Sequence, residues 1–366
     1  PAMSLGIRTR SAVLAVGGLA VMGLVLTSCS QSGQGQSGGG SVSNPVCGQP
    51  PPALGSGGSP VSVPISVLGT PIPEIPSVKV AVGNSEPVPV LLDTGSVGLR
   101  VFSQRLPNLS AAGVSVTGTP VVETYGDGSV FNGHCATATV KIGDAATATQ
   151  VPFQLVDSVT CASFRPNCPK PELANGTAGI MGIGLYPKDV PNPLEYLAGS
   201  LAGSWSVHLS SATGSLNLGA IDPANSAASF NLTSQGSVGP VPAWDGHALN
   251  VCWSAKSAAP VCDSTLFDSG AVDMNWWDPV LAQSVGVSAT AAGTPIPAGL
   301  PVTLSTSSGA SPFWSFTTGT QPGVNQVFAQ VNPFPGPNST QASTGMAIYR
   351  QFTVTYNLAN GTIKLN

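Results

Sequence analysis

The stretch Val88-Pro89-Val90-Leu91-Leu92-Asp93-Thr94-Gly95-Ser96 runs an apolar strand straight into a carboxylate. Half a chain later Leu266-Phe267-Asp268-Ser269-Gly270-Ala271 does the same. A carboxylate ending a buried strand is costly: its charge needs hydrogen-bond donors, or the group keeps a proton. Taken singly, each Asp also reads as a plain turn residue. Two such triplets, one per half and each closing an apolar run, predict two lobes that present Asp93 and Asp268 to a shared cleft. Carboxyl groups at close quarters do not ionise independently. Such a pair shares a proton and can act as general base and general acid together.

The rest of the chain sets the frame. Val-, Thr- and Ser-rich runs broken by 44 Gly and 34 Pro predict an all-β protein with many turns. A hydrophobic content of 42% argues against a long disordered chain, and 366 residues suffice for two domains or one large bilobal one. Charged residues make up only 8% and no Lys/Arg cluster occurs, so nucleic acid is not an expected partner. Strands are expected at 61–68, 77–83, 88–92, 121–125, 130–142 and 147–159, and later at 205–209, 248–253, 261–267, 326–331 and 347–357. Short helices are expected at 193–201 and 279–285. No H-E-x-x-H, C-x-x-C or Walker-type loop occurs, and His134, His208 and His247 lack motif company. No metal or cofactor is expected. Glu123 and Asp127 read as solvated, with Asp127 also able to face a substrate.

The N-terminal region reads as a targeting segment. Arg8 and Arg10 precede an apolar stretch, 12–26, that is short for a membrane span. Leu26-Thr27-Ser28-Cys29 then resembles a bacterial lipobox, which implies lipidation of Cys29. An ordinary signal peptide or an uncleaved anchor with an incidental Cys is the rival reading. Residues 1–28 are thus expected as a signal peptide and 29–60 as a flexible Gly/Ser/Gln-rich tether. The remaining Cys47, Cys135, Cys161, Cys168, Cys252 and Cys262 are an even set, as expected for disulfides in an exported chain. Cys161 and Cys168, like Cys252 and Cys262, are near enough in sequence for local staples, leaving Cys47 and Cys135. Sequence alone does not determine the connectivity.

Across roughly residues 75–366 the order of motifs resembles the pepsin-like aspartic peptidases. Val80-Ala81-Val82-Gly83 with Asp93-Thr94-Gly95-Ser96 is similar to the first active-site segment. Tyr125-Gly126-Asp127-Gly128-Ser129 resembles the flap hairpin, and Gly179-Ile180-Met181-Gly182-Ile183-Gly184 the apolar segment that crosses behind the first Asp. Trp205-Ser206-Val207-His208-Leu209 and Gly214–Asp222 resemble the inter-lobe stretch. Leu266–Gly270 resembles the second active-site segment, and Tyr349–Tyr356 the C-terminal strand.

The resemblance implies a bilobal pepsin-like double-psi β-barrel architecture, with an N-terminal lobe at 61–203, a C-terminal lobe at 204–366 and a cleft between them. It implies an extracytoplasmic, membrane-tethered aspartic endopeptidase, monomeric, acting on extended peptide or protein substrates. Asp93 and Asp268 would be catalytic, and Thr94, Gly95, Ser96, Ser269 and Gly270 would shape the dyad. Tyr125, Gly126 and Asp127 would close over substrate. Three positions depart from the pattern. Arg100 stands where a Trp is usual, Ala271 lacks a hydroxyl that a Thr often supplies, and Ser343-Thr344-Gly345 replaces the second apolar crossing segment, which implies a differently built loop behind Asp268. These departures carry the alternative, a catalytically weak or inactive relative that binds peptides or a cell-surface partner.

Overall fold

The computed structural model describes residues 45–68, 75–168, 176–220, 222–256, 258–320, 323–336 and 339–366. The expected signal peptide, the lipobox with Cys29, residues 29–44 of the expected tether and Ile221 lie outside these residues. Among them, strands dominate and the α-helices are the short Pro279–Ser284 and Ala347–Gln351. Strands such as Val151–Cys161 and Ser129–Ala138 carry Val, Phe and Thr, residue types that suit a pleated sheet.

One large sheet runs through both halves of the chain. Ser204–Leu209 pairs with Thr213–Leu218 on one side and with Val354–Asn357 on the other, which stitches the middle of the chain to its end. Fully buried Trp205 stacks on Tyr356 at this seam, 6.1 Å between rings. The sheet continues through Val61–Leu68 into the N-terminal lobe, while a separate eight-stranded sheet builds the C-terminal lobe. The fold is all-β and bilobal, as the motif order implies.

A threaded strand positions the first Asp. Gly179–Ile183 lies parallel to Val88–Asp93, with Gly182 beside Asp93, and antiparallel to Val97–Phe102. The insertion leaves no room for a side chain at 182, where a methyl group would stand 2.6 Å from the Val97 nitrogen. The C-terminal lobe repeats the device. Ala342–Ser343 runs parallel to Val261–Leu266 and antiparallel to Met274–Trp276. The crossing behind Asp268 is therefore built in the same way, though shorter, despite its polar sequence. Its buried polar groups are satisfied locally: Thr344 N donates to Leu266 O at 3.0 Å, and Gly345 N to Ser343 Oγ at 3.1 Å.

Other expectations need correcting. The expected strand 347–357 is a helix, Ala347–Gln351, followed by the strand Val354–Asn357. Its aromatic content reads as strand, but helical backbone buries Ala347, Ile348 and Tyr349 together, and packing overrides propensity. The expected helix 193–201 is two 3₁₀ turns, Pro193–Tyr196 and Gly199–Ala202, separated at Gly199, whose φ is +61°. The expected strand 130–142 is broken into Ser129–Ala138 and Val140–Ile142.

Within the stretch expected as tether, residues 45–60 dock on the protein. Cys47 N donates to Asp189 O at 3.0 Å, the Tyr196 hydroxyl to Gln49 O at 2.6 Å and Ser200 N to Gly57 O at 2.9 Å. The cysteines pair as Cys47–Cys135, Cys161–Cys168 and Cys252–Cys262, with Cα separations of 5.3, 5.5 and 3.8 Å. Disulfides persist in oxidising compartments, so three pairs point to an extracytoplasmic protein. No helix among the described residues is long and apolar enough to cross a membrane.

Candidate active site

The two Asp-containing turns grip one another. Thr94 N donates to Ser269 Oγ at 3.1 Å, and Ser269 N donates to Thr94 Oγ1 at 2.9 Å. Each hydroxyl then donates beneath the opposite loop, Thr94 to Phe267 O at 2.9 Å and Ser269 to Leu92 O at 2.7 Å. This reciprocal set, buried and nearly two-fold symmetric, fixes one loop against the other. Tyr349, delivered by the short helix, adds its hydroxyl at 2.6 Å from Thr94 Oγ1 and 3.0 Å from Phe267 O.

The grip sets the carboxyl groups face to face. A methyl group on Gly95 would stand 2.5 Å from Asp268 Oδ1, and one on Gly270 would stand 2.5 Å from Asp93 Oδ1. Only glycine lets each carboxyl lie over the opposite turn. Their surroundings differ. Asp93 accepts from Gly95 N at 2.8 Å and from Ser96 Oγ at 2.5 Å. Asp268 accepts from Gly270 N at 2.8 Å and from the Ala271 N–H. Burial raises both above the ordinary carboxylate range, and Asp268 much further, because the charge of Asp93 adds to its burial while Asp93 has the Ser96 hydroxyl. The two carboxyl groups thus differ in surroundings, and the charged form is opposed more strongly at Asp268 than at Asp93.

The hairpin between Ser115–Thr124 and Ser129–Ala138 brings Tyr125 to the same place. Its ring packs edge-on against Phe131 at 5.0 Å, close enough to Asp93 for that charge to oppose its ionisation. The Tyr125 hydroxyl is buried without a hydrogen-bond partner among the described residues. Asp127 turns back into the hairpin, accepting from Ser129 N at 2.8 Å and Ser129 Oγ at 2.6 Å.

Arg100, 1% exposed, lies behind this hairpin with its guanidinium carbon 5.9 Å from the Tyr125 ring. It donates to Val97 O at 2.7 Å and to Glu123 Oε2 at 2.6 Å. Glu123 also meets Lys188 at 3.4 Å. Glu123 is thus not a solvated residue: its side chain is 14% exposed and holds two cations.

Two further residues were not legible as site residues. The Tyr186 hydroxyl donates to Gly95 O at 3.4 Å, and the His247 ring lies 3.6 Å from the Tyr186 ring and also meets the Gly95 carbonyl. Burial, then the Lys188 charge, lowers His247 to about 4, so its ring is neutral at pH 6 and above. The signal available was thin: His247 follows an Asp-Gly turn, and Tyr186 follows the apolar crossing segment. By contrast His134 forms an exposed pair with Asp157 at 2.7 Å, and His208 approaches Phe352 O.

A family model described as a protein of unknown function (DUF3443) matches residues 81–196, which hold Asp93, the hairpin and the first crossing strand. No curated protein matches. Among solved structures the chain is similar to the aspartic proteinase from Irpex lacteus, with a TM-score of 0.52 and 16% identity over 84% of this chain and 97% of that one. The fold is pepsin-like. At that identity the likeness shows the fold alone, and a pepsin-like fold accounts for the threaded strand in each lobe and for the two turns meeting at the seam.

Proposed function

We propose that the protein is an aspartic endopeptidase. The observation that carries this reading is the reciprocal grip of Thr94 and Ser269, which leaves the Asp93 and Asp268 carboxyl groups facing each other over Gly95 and Gly270. In this mechanism Asp93, ionised, takes a proton from a water between the two carboxyls. Asp268, protonated, donates to the oxygen of the peptide carbonyl as the water attacks its carbon. A tetrahedral diol forms without a covalent link to the protein. Its breakdown returns a proton to the leaving amine. The unpartnered Tyr125 hydroxyl supports a covering role in this reading, in which Tyr125 and the Gly126 backbone would close over an extended substrate.

Asp93→Asn and Asp268→Asn each remove a proton-transfer partner and keep the shape. Both are expected to lower kcat/KM on an unstructured peptide by about a thousandfold or more, within the range for losing a general acid or base. Circular dichroism should remain that of the native protein. Cleavage near the wild-type rate by either variant would assign the chemistry elsewhere.

The Cys29 motif, the tether that follows it and the disulfides support a second part of the reading, an enzyme held outside the cytoplasm by a lipid on Cys29.

A further inference from the structure

The hairpin tip does not hang free over the cleft. A methyl group on Gly126 would stand 3.6 Å from Pro333 Cγ and 4.0 Å from Phe334 Cε2, both in the loop after the Val327–Ala329 strand of the C-terminal lobe. Beside this close approach Phe164 of the N-terminal lobe meets Phe334 edge-on, with ring centroids 5.9 Å apart and planes at 76°. The two lobes thus touch across the top of the cleft as well as beneath it.

Each jaw of this contact is stiffened. Phe164 sits in the loop closed by Cys161–Cys168, and that loop is tied to the hairpin: Ala162 N donates to Gly128 O at 2.8 Å, and Arg165 packs on Gly128. On the other side Phe334 N donates to Asn332 Oδ1 at 2.8 Å, and Asn332 Nδ2 to Thr340 O at 2.8 Å. The join between the jaws is weak by comparison. Phe164 is 43% exposed and Phe334 is 49% exposed, so little apolar area returns to water when they part. Stiff jaws with a weak join form a latch, closed at rest and opened at small cost.

We propose that Phe164 and Phe334, with Gly126 set close beside Pro333, latch the cleft over a single extended strand, so that the substrate class is unfolded polypeptide with a free end and not the loops of folded proteins. This rests on the peptidase reading. A free end threads beneath the closed latch, whereas a loop anchored at both ends enters only when the latch opens.

The test compares one cleavable sequence in two forms, a linear peptide and the same segment inserted as a surface loop of a stable folded carrier. Wild type should prefer the linear form. The full-chain variant Phe164→Ser/Phe334→Ser should lower the linear-to-loop ratio of kcat/KM by about three- to tenfold, the equivalent of one edge-to-face aromatic contact, chiefly by raising the loop's value. Both side chains are half exposed, so the fold should tolerate the change. An unchanged ratio overturns the latch. Amide exchange gives a readout independent of activity: the backbone amides of residues 125–129 and of Asn332, Phe334 and Gly336 should exchange faster in the variant, and unchanged exchange also overturns it. If wild type cleaves neither form the peptidase reading fails, and the exchange result alone decides whether the latch exists.

Discussion

Ser96 and Ala271 occupy matching places after the two turns, and only Ser96 carries a hydroxyl. Ser96 donates to Asp93 and favours its charge, while Asp268 has backbone donors alone. In the peptidase reading, this methyl-for-hydroxymethyl difference helps to make Asp93 the base. Ala271→Ser would give Asp268 the missing donor. A donor to the ionised form lowers a carboxyl pKa, and ionisation of the protonated member sets the alkaline limb of activity. The alkaline limb of kcat/KM should therefore move to lower pH in Ala271→Ser. A limb that stays in place or moves to higher pH would show that this hydrogen bond does not govern the dyad. Asp93 and Asp268 were legible at this scale because each triplet is local. The Arg100–Glu123 pair and His247 were not, because their partners come from other strands.

The strand Gly179–Ile183 does at the scale of an element what neither Asp turn does alone. Wedged between Val88–Asp93 and Val97–Phe102, it braces the turn that joins them. A methyl group at Gly182 would lie 2.7 Å from both the Ser96 carbonyl carbon and Ser96 Oγ, the atom that donates to Asp93. Gly182→Ala is expected to destabilise the protein by about 1–3 kcal/mol, the usual cost of overpacking. By shifting Ser96 it should also lower kcat about tenfold, since small displacements of positioned groups are costly to catalysis. Thermal unfolding with steady-state kinetics checks both, and a wild-type Tm with wild-type kcat would count against the brace. The opposite crossing, Ala342–Ser343, shows why sequence misleads here. Its polar residues looked unfit for a buried crossing, yet short hydrogen bonds satisfy them, and such pairing has no signature in composition.

For the molecule as a whole, the tether and the cleft are separable expectations. Residues 45–60 are docked on the protein, so the expected tether is not free along its whole length. Cys29→Ala is expected to move the protein from the membrane fraction to the soluble fraction once the signal segment is removed, because a lipid supplies the only anchor in this reading. Fractionation with and without detergent checks this, and a variant still bound to membranes would point to a protein partner instead.

By itself the sequence determined the all-β class, the two Asp turns, the even set of cysteines and the hairpin with Tyr125. Each is written in neighbouring residues: alternation makes strands, Asp-Thr-Gly and Asp-Ser-Gly make turns, and Asp127-Gly128 makes a hairpin tip. Tertiary structure decided what those pieces do together. It paired Cys47 with Cys135 and exchanged the Thr94 and Ser269 hydrogen bonds between loops half a chain apart. It also set Asp268 among fewer donors than Asp93 and brought Phe164 against Phe334 across the cleft. Burial and through-space distance govern these outcomes, and neither is a property of a local stretch of chain.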